Sequence, residues 1–423
     1  MAPRIALVAA GSRGDVQPLV ALGHGLRRSG YRVRIVALET FRELAAGLEF
    51  VGVPVDPQRF IDEHGLRESV GGGAGPIAFL RRYRAVVEAT YGPLLGIVWE
   101  ALADVDAVGF GTLTIMAHPL ADARGIPRFA VPLQPLTRSR AYPSLAFPPS
   151  WGKLGAACNL ATHLLEERLW WAAVGGVVSR GLRDVLGRDP FPRGGPYDRI
   201  YADEGFPFVY GFSPTVVPHP PDWPAWHVVT GFWYLDAEES LPDEVAAFLD
   251  AGPPPVYVGF GSLPVADPPR AARTVVEAVR RAGRRAILLR GWAELDLDGD
   301  HDDVLVVDEV PHALLFPRVA AIVHHGGAGT TAAALRAGRP QVVVPHFADQ
   351  PFWAARVHEL GVAPPPLRPR RLDADRLAAA LDRACSAEVV RRAAEVGERI
   401  AAEDGVGRAV AVVARFLDRG RVT

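Results

Sequence analysis

The sequence predicts an α/β protein made of two doubly wound domains, each a parallel sheet covered by helices on both faces. Short, almost wholly apolar runs alternate with helical patterns, and strands buried on both faces read that way. The alternation restarts near residue 255, after a proline-rich stretch. The length of 423 residues suits two or three domains, and 49% hydrophobic against 22% charged residues is the composition of packed cores, not of a disordered chain.

Ile5–Ala9 is the first expected strand. Val16–Arg28 follows with Leu19, Val20, Leu22 and Leu26 at helical spacing, and Arg34–Ala37 is the next strand. Together they make a βαβ unit. Ala107–Gly109 is a further strand. Gly71–Gly75 reads as a glycine loop. Val131–Trp151 is rich in proline and aromatics and has no period, and Trp151–Leu186 reads as one long or two shorter helices. In the second half, Val256–Phe260, Ala286–Leu289, Val304–Val307, Ala320–His324 and Gln341–Pro345 are strands with helices between them.

Pro218–Pro224 holds too many prolines for regular structure, and Leu241–Leu249 looks like a short helix before Ala251–Pro255. The expected division is residues 1–230, a linker at 231–253, a second domain at 254–405, and a last helix within 406–423 that packs back toward the first domain. Ligands of such folds bind at the carboxyl ends of the strands, in the cleft that two such domains form.

With 46 basic and 48 acidic residues the formal net charge is −2, which gives no global attraction to nucleic acid or an anionic membrane. Two cysteines, Cys158 and Cys385, make no disulfide framework. The apolar run at the N-terminus is too short for a signal peptide, and no stretch has about 18 uninterrupted apolar residues. A cytoplasmic protein without a transmembrane segment is the expectation.

Val310–Thr331 carries the most chemistry. A buried strand ends at His324-His325, then come Gly326, Gly327 and Gly329 with Thr330 and Thr331, and then a helix over Ala332–Ala337. Glycines at a strand-to-helix turn let a ligand approach the backbone, and the free N–H groups there favour an anion such as phosphate. Glycines alone also serve a plain βα turn; the two histidines and two hydroxyls favour the anion. Gly-x-Gly-x-x-Gly does not follow the first strand, and Gly-Lys-Ser/Thr is missing, which argues against a nicotinamide dehydrogenase and a P-loop enzyme. Adjacent histidines are poor metal-ligand spacing.

Four motifs in order resemble the family-one, nucleotide-sugar-dependent glycosyltransferases, most closely the bacterial antibiotic and sterol-type glucosyltransferases. They are Gly11-Ser-Arg-Gly-Asp-Val-Gln-Pro18, Gly259-Phe-Gly-Ser262, the Val310–Thr331 stretch and Pro345-His-Phe-Ala-Asp-Gln350; Leu335–Pro340 also fits. The resemblance covers both domains and is densest from 255 to 365. It implies the GT-B architecture, two Rossmann-like domains facing across a cleft. It also implies a UDP- or TDP-sugar as co-substrate, with no further cofactor and no metal.

The resemblance assigns roles residue by residue. Asp15 would be the general base that takes the proton of an acceptor hydroxyl. A helix N-cap is the plain alternative for Asp15. Gly14 and Ser262 would stand near the phosphates, Val310 would hold the base through its main chain, and His324 with Gly326, Gly327, Ala328, Gly329 and Thr330 would hold the pyrophosphate. Asp349 and Gln350 would bind sugar hydroxyls; the plain alternative is a polar pair opening a helix. Direct displacement would invert the anomeric centre, so an α-linked sugar nucleotide would give a β-glycoside.

Two departures stand out. Plant members pair a histidine base with an aspartate after a later strand; here that strand runs Asp106–Thr112 and ends without a carboxylate, so Asp15 is expected to act alone. Plant members also hold base and ribose with tryptophan and glutamate, whose places fall near Glu309 and Ala332.

From the residues themselves, Pro132, Tyr142, Phe147 and Trp151 would form an apolar wall for a flat acceptor; the plain alternative is that they pack the domain's own core. His118, His163 and His346 read as structural. The expected function is transfer of a hexose, glucose from UDP-glucose, to a hydroxyl of a hydrophobic small molecule such as a sterol, polyketide or flavonoid. The alternatives are a TDP-deoxysugar transferase of antibiotic biosynthesis and a catalytically silent nucleotide-sugar-binding homologue. A monomer or weak homodimer is expected, with no nucleic-acid partner.

Overall fold

The computed structural model describes residues 2–55, 76–235, 240–260, 268–290 and 302–420. The chain divides into two compact units; the first runs to Asp236 and is completed by Glu403–Thr423, and the second includes Ala237–Ala402. The Gly71–Gly75 loop and Ser262 lie outside the described residues.

The first unit holds strands β1 (Arg4–Val8), β2 (Arg32–Leu38), β3 (Glu49–Val53), β4 (Ala107–Phe110), β5 (Arg128–Ala130), β6 (Phe208–Tyr210) and β7 (His227–Val229). They form one parallel sheet in the order β3-β2-β1-β4-β5-β6-β7. Helices α1 (Arg13–Arg28), α2 (Pro76–Ala101), α3 (His118–Arg124), α4 (Ala156–Leu186) and α5 (Tyr197–Ala202) connect them. β1 is apolar from Ile5 to Val8 and fully buried there, which a central strand with both faces covered requires.

In the second unit, helix α6 (Asp243–Asp250) precedes β8 (Val256–Gly259), α7 (Pro268–Arg281), β9 (Ala286–Leu289) and β10 (Val304–Val307). Then come α8 (His312–Leu315), β11 (Ala321–His324), α9 (Ala328–Arg336), β12 (Gln341–Val343), α10 (Gln350–Glu359), α11 (Ala374–Ala384) and α12 (Ala387–Ala401). The sheet is parallel in the order β10-β9-β8-β11-β12. Its two apolar layers, one around Val258, Val323 and Leu377 and one around Tyr257, Ile322 and Phe316, lie on either face.

Helix α13 (Gly405–Gly420) belongs to the first unit, where Ala409, Val410, Val413 and Leu417 join the core of β1 and α1. A Cβ on Gly25 would meet Val406 Cγ1 at 2.4 Å, so a bare glycine lets α1 and α13 approach. Of the expected linker, Phe232 and Trp233 are buried in the first unit's chain, while α6 belongs to the second. The proline-rich 218–224 stretch lies inside the first unit just before β7, where Trp223 stacks on Tyr210 at 4.7 Å.

Helix boundaries near the candidate site and the aromatic loop differ from the sequence reading. Helix α1 starts at Arg13, not Val16, because Ser12 caps it. Helix α9 starts at Ala328, so the Gly329–Thr331 stretch is helical. Pro149–Leu154 is a separate 3₁₀ helix, and α4 is one helix from Ala156.

Both sheets reverse their winding beside their first strand, β1 next to β4 and β8 next to β11. Ligands of open α/β sheets gather at such switch points, beyond the carboxyl ends of the strands.

Candidate active site

At the first switch point β1 ends at Val8 and the chain turns through Gly11 into α1. Gly11 has φ 114°, a conformation that a side chain resists. Ser12 is the N-cap and Asp15 is the third residue of the helix. Asp15 therefore is not the cap itself. Its Oδ2 accepts from the Ser12 N–H at 2.8 Å and from the Ser12 hydroxyl at 2.9 Å. This is the return half of a capping box, which supports the helix start and fixes the carboxylate. A Cβ on Gly11 would stand 2.4 Å from Asp15 Oδ2 and 3.1 Å from Leu113 Cδ1. The glycine leaves the space the carboxylate occupies. Asp15 stays half-buried, and Gly14 beside it is exposed in the first turn.

The neighbouring strand β4 leads to Thr112, whose hydroxyl donates to Gln134 Oε1 at 2.7 Å. Thr114 donates to the Val8 carbonyl at 2.9 Å and ties this loop to the end of β1. The described end of β4 thus brings an amide and hydroxyls, but no carboxylate, to the loop.

Of the four residues expected to line the acceptor, Pro132 is a correction. It is buried and its carbonyl accepts from the Gly211 N–H at 2.9 Å, so it packs the exit of β5, as the core-packing alternative has it. Phe147 and Trp151 do meet, with ring centroids 5.3 Å apart, and Trp151 is 40% exposed. Tyr142 packs on His163, whose Nε2 bonds the Tyr142 carbonyl at 3.2 Å. The loop is pinned to α4 and to Asp222, which accepts from the Ser139 hydroxyl and the Arg140 N–H. His118 is lodged between Phe191 and Phe206, and its Nδ1 bonds the Ile115 carbonyl at 3.2 Å. Burial pushes its pKa down to about 3, so it is a packed neutral ring.

In the second unit, β11 ends at His324, the turn passes through His325 and Gly326 (φ 91°), and Gly327 is the N-cap of α9. Ala328, Gly329 and Thr330 form the first turn, whose N–H groups have no acceptor within the helix. Gly326 has no room for a side chain: a Cβ would lie 2.9 Å from Val343 Cγ1 and 3.1 Å from the Gln350 carbonyl.

His324 requires a second correction. It is fully buried, its Nε2 bonds Gln341 Oε1 at 2.9 Å and its Nδ1 accepts from the Gly326 N–H at 3.1 Å. Burial lowers its pKa to about 4. Both ring nitrogens are engaged, so the ring is not available to a phosphate. His325 stands in the turn, only partly buried, and a Cβ on Gly327 would be 2.5 Å from its Nε2. Its Nδ1 has no hydrogen-bond partner among the described residues. Burial, with His324 and His346 adding, lowers its pKa to about 3. A neutral imidazole still has one N–H to give.

The loop after β12 holds Asp349 and Gln350 as a pair of different kinds. Gln350 is buried, and its Oε1 accepts from the N–H groups of His346 at 2.8 Å and Phe347 at 3.3 Å. It shapes the loop. Asp349 takes the N-cap position of α10 without a side-chain cap bond, and its Oδ2 instead accepts from the Trp353 indole at 2.7 Å. Ala348 between Phe347 and Asp349 has φ 54°, the left-handed region that costs a non-glycine residue. Val310 is half-buried against the Tyr257 and Phe316 layer.

Sequence reasoning missed Gly11 and Ser12 as partners of Asp15, the difference between His324 and His325, and Gln341. The Ser12-x-x-Asp15 spacing is itself a capping signal. His325 was findable as the first residue past a strand buried on both faces. Gln341 gives no sequence signal.

An acid after the first strand of one sheet and a glycine turn opening a helix in the other are the furniture of a two-domain sugar-nucleotide enzyme. Residues 5–148 match the glycosyltransferase family 28 N-terminal domain, and residues 293–410 match the C-terminal domain of the erythromycin biosynthesis protein CIII-like family. In sequence the chain is 35% identical over 444 residues to a sterol 3-beta-glucosyltransferase of Cryptococcus neoformans var. neoformans serotype D, covering 98% of this chain and 27% of that protein. One from Yarrowia lipolytica is 35% identical over 435 residues, covering 98% and 29%. The chain thus spans less than a third of the length of these relatives. They are fungal, so the similarity does not single out the bacterial members expected from the motifs. Among solved structures, the glycosyltransferase of kitacinnamycin has a TM-score of 0.68 at 20% identity, covering 99% of this chain and 100% of that one. The calicheamicin glycosyltransferase has 0.66 at 21%, covering 99% of each. The chain belongs to the family-one glycosyltransferases with the GT-B fold.

No helix among the described residues is long and apolar enough to cross a membrane.

Proposed function

We propose that the protein transfers glucose from UDP-glucose to a hydroxyl of a hydrophobic, sterol-like acceptor, with inversion. The observation that carries this reading is the carboxylate of Asp15, fixed past the end of β1 by Ser12 and by the space at Gly11. Similarity to sterol 3-beta-glucosyltransferases along 98% of the chain supports glucose and a sterol-like acceptor.

The chemistry follows from the residues. Asp15 accepts the proton of the acceptor hydroxyl as its oxygen attacks the anomeric carbon, a role worth about 10²–10⁴-fold. The bond to the diphosphate breaks on the opposite face, so the configuration inverts. Charge builds on the leaving phosphate, where the first-turn N–H groups of α9, the helix dipole and a ring N–H of His325 stabilise it. Asp349 accepts from a sugar hydroxyl, and Gln350 keeps that loop in shape. Phe147 and Trp151 offer the acceptor an apolar face.

A TDP-sugar is the second reading, favoured by a structural neighbour, the glycosyltransferase VinC, solved in complex with DTDP. Thermal unfolding separates the two. A ligand at 100 times its Kd stabilises the native state by about 2.7 kcal/mol. UDP-glucose is expected to raise the melting temperature and to support formation of a sterol glucoside. Protection by TDP-sugars alone would move the assignment to the second reading, and protection by neither would end both.

A further inference from the structure

We propose that His324 is a positioning residue which, with Gln341, forms a buried relay that sets the phosphate-facing turn through the Gly326 amide. The proposal rests on reading Gly326–Thr330 as the diphosphate site. The Gly326 N–H donates to His324 Nδ1 at 3.1 Å, so that nitrogen carries a lone pair. The proton of the neutral ring is then on Nε2, which donates to Gln341 Oε1 at 2.9 Å. The network assigns the tautomer. His324 and Gln341 are both 0% exposed, so water does not compete for these bonds.

The strand register explains the reach. Ile322 pairs with Gln341 and His324 with Val343, so Gln341 shares a sheet face with His324 two residues further along. A glycine amide has wide conformational choice, and Gly326 sits at φ 91° against the Gln350 carbonyl and Val343. The His324 bond selects one orientation of that amide. Gly327 and the first turn of α9 follow directly, so the same bond orients the N–H groups offered to a phosphate. If Gln341 is lost as an acceptor, the proton on Nε2 has no partner; moving it to Nδ1 would set two donors face to face at Gly326.

The test compares Gln341→Leu with Gln341→Glu in the full chain, using UDP and TDP as probes in calorimetry and steady-state transfer for both substrates. Leu removes the acceptor while keeping bulk. Glu restores an oxygen that accepts from Nε2, whether or not it is ionised. Gln341→Leu is expected to weaken the diphosphate that wild type binds by about tenfold, with a matching rise in the KM for the sugar nucleotide, while the acceptor KM stays unchanged. Gln341→Glu is expected to restore most of that affinity. Melting curves confirm that binding is measured on folded protein. Equal affinity in wild type and Gln341→Leu would overturn the relay alone. Wild type that binds neither diphosphate would overturn the reading of the turn, and the relay with it.

Discussion

The loops that leave β1 and β11 occupy equivalent places, each at the switch point of its sheet. They carry their polar residues differently. After β1 the functional side chain stands seven residues past the strand, in the first turn of a helix, held by its own loop through Ser12 and the space at Gly11. After β11 two histidines stand side by side; the last strand residue is fully buried with both ring nitrogens bonded, and the first turn residue is partly buried with an Nδ1 that has no partner among the described residues. The difference teaches that one position along the chain separates a fully bonded buried ring from one with an unpartnered nitrogen when a strand is buried on both faces.

The largest effect should come from Asp15→Asn. Turnover is expected to fall roughly 10²-fold or more with the affinity for sugar nucleotide unchanged. The asparagine oxygen can still accept from Ser12, so the fold should lose only about 1 kcal/mol or less. Steady-state transfer, calorimetry and melting of both proteins check this. Turnover near wild type would break the first half of the comparison.

Gly11→Ala should sharpen it. The added Cβ must displace the carboxylate and hold φ 114°, so a turnover loss of about tenfold and a stability loss of roughly 1–3 kcal/mol are expected. An alanine variant as active and as stable as wild type would show that the contact does not position Asp15.

The two histidines make the next contrast. His325→Ala should weaken UDP binding about tenfold with little change in melting temperature. His324→Ala should lose roughly 1–3 kcal/mol of stability by orphaning buried partners. Unchanged UDP affinity in His325→Ala would remove the phosphate role from His325.

The buried histidines also set a pH dependence. Burial is the main cause that lowers His118, His227 and His325 to about 3, and His163 and His324 to about 4. Unfolded, each titrates near 6.5, so the unfolded state takes up protons first as pH falls. The stability is fully present above that value. Below it, each ring removes about 1.4 kcal/mol per pH unit until its folded pKa is reached. The melting temperature should therefore fall between pH 7.5 and pH 5, and a flat profile would contradict the burial of these rings.

The sheets were legible because buried parallel strands such as Ile5–Val8 and Ala321–Val323 are apolar without interruption. β3, β5, β6 and β7 were not; three-residue strands such as Phe208–Tyr210 lie within proline- and aromatic-rich stretches that carry no period, and β3 (Glu49–Val53) is broken by Glu49 and Gly52. Asp15 was legible from its motif, but its cap role was placed one function away, because the helix begins at Arg13 and Ser12 takes the N-cap. His324 was read as a ligand because pattern alone gives both histidines the same chemistry; only burial and the Gln341 bond tell them apart. Pro132 was read as a wall for the same reason, since an apolar residue near a loop looks alike whether it faces a ligand or the core.

The most direct test of the account is the configuration of the product. The wild-type protein is incubated with UDP-glucose, whose sugar is α-linked, and a sterol, and the anomeric coupling in the isolated glycoside is read by NMR. A single displacement driven by Asp15 predicts a β-glucoside. An α-glucoside would contradict it, because retention requires a route that one base and one direct attack do not provide.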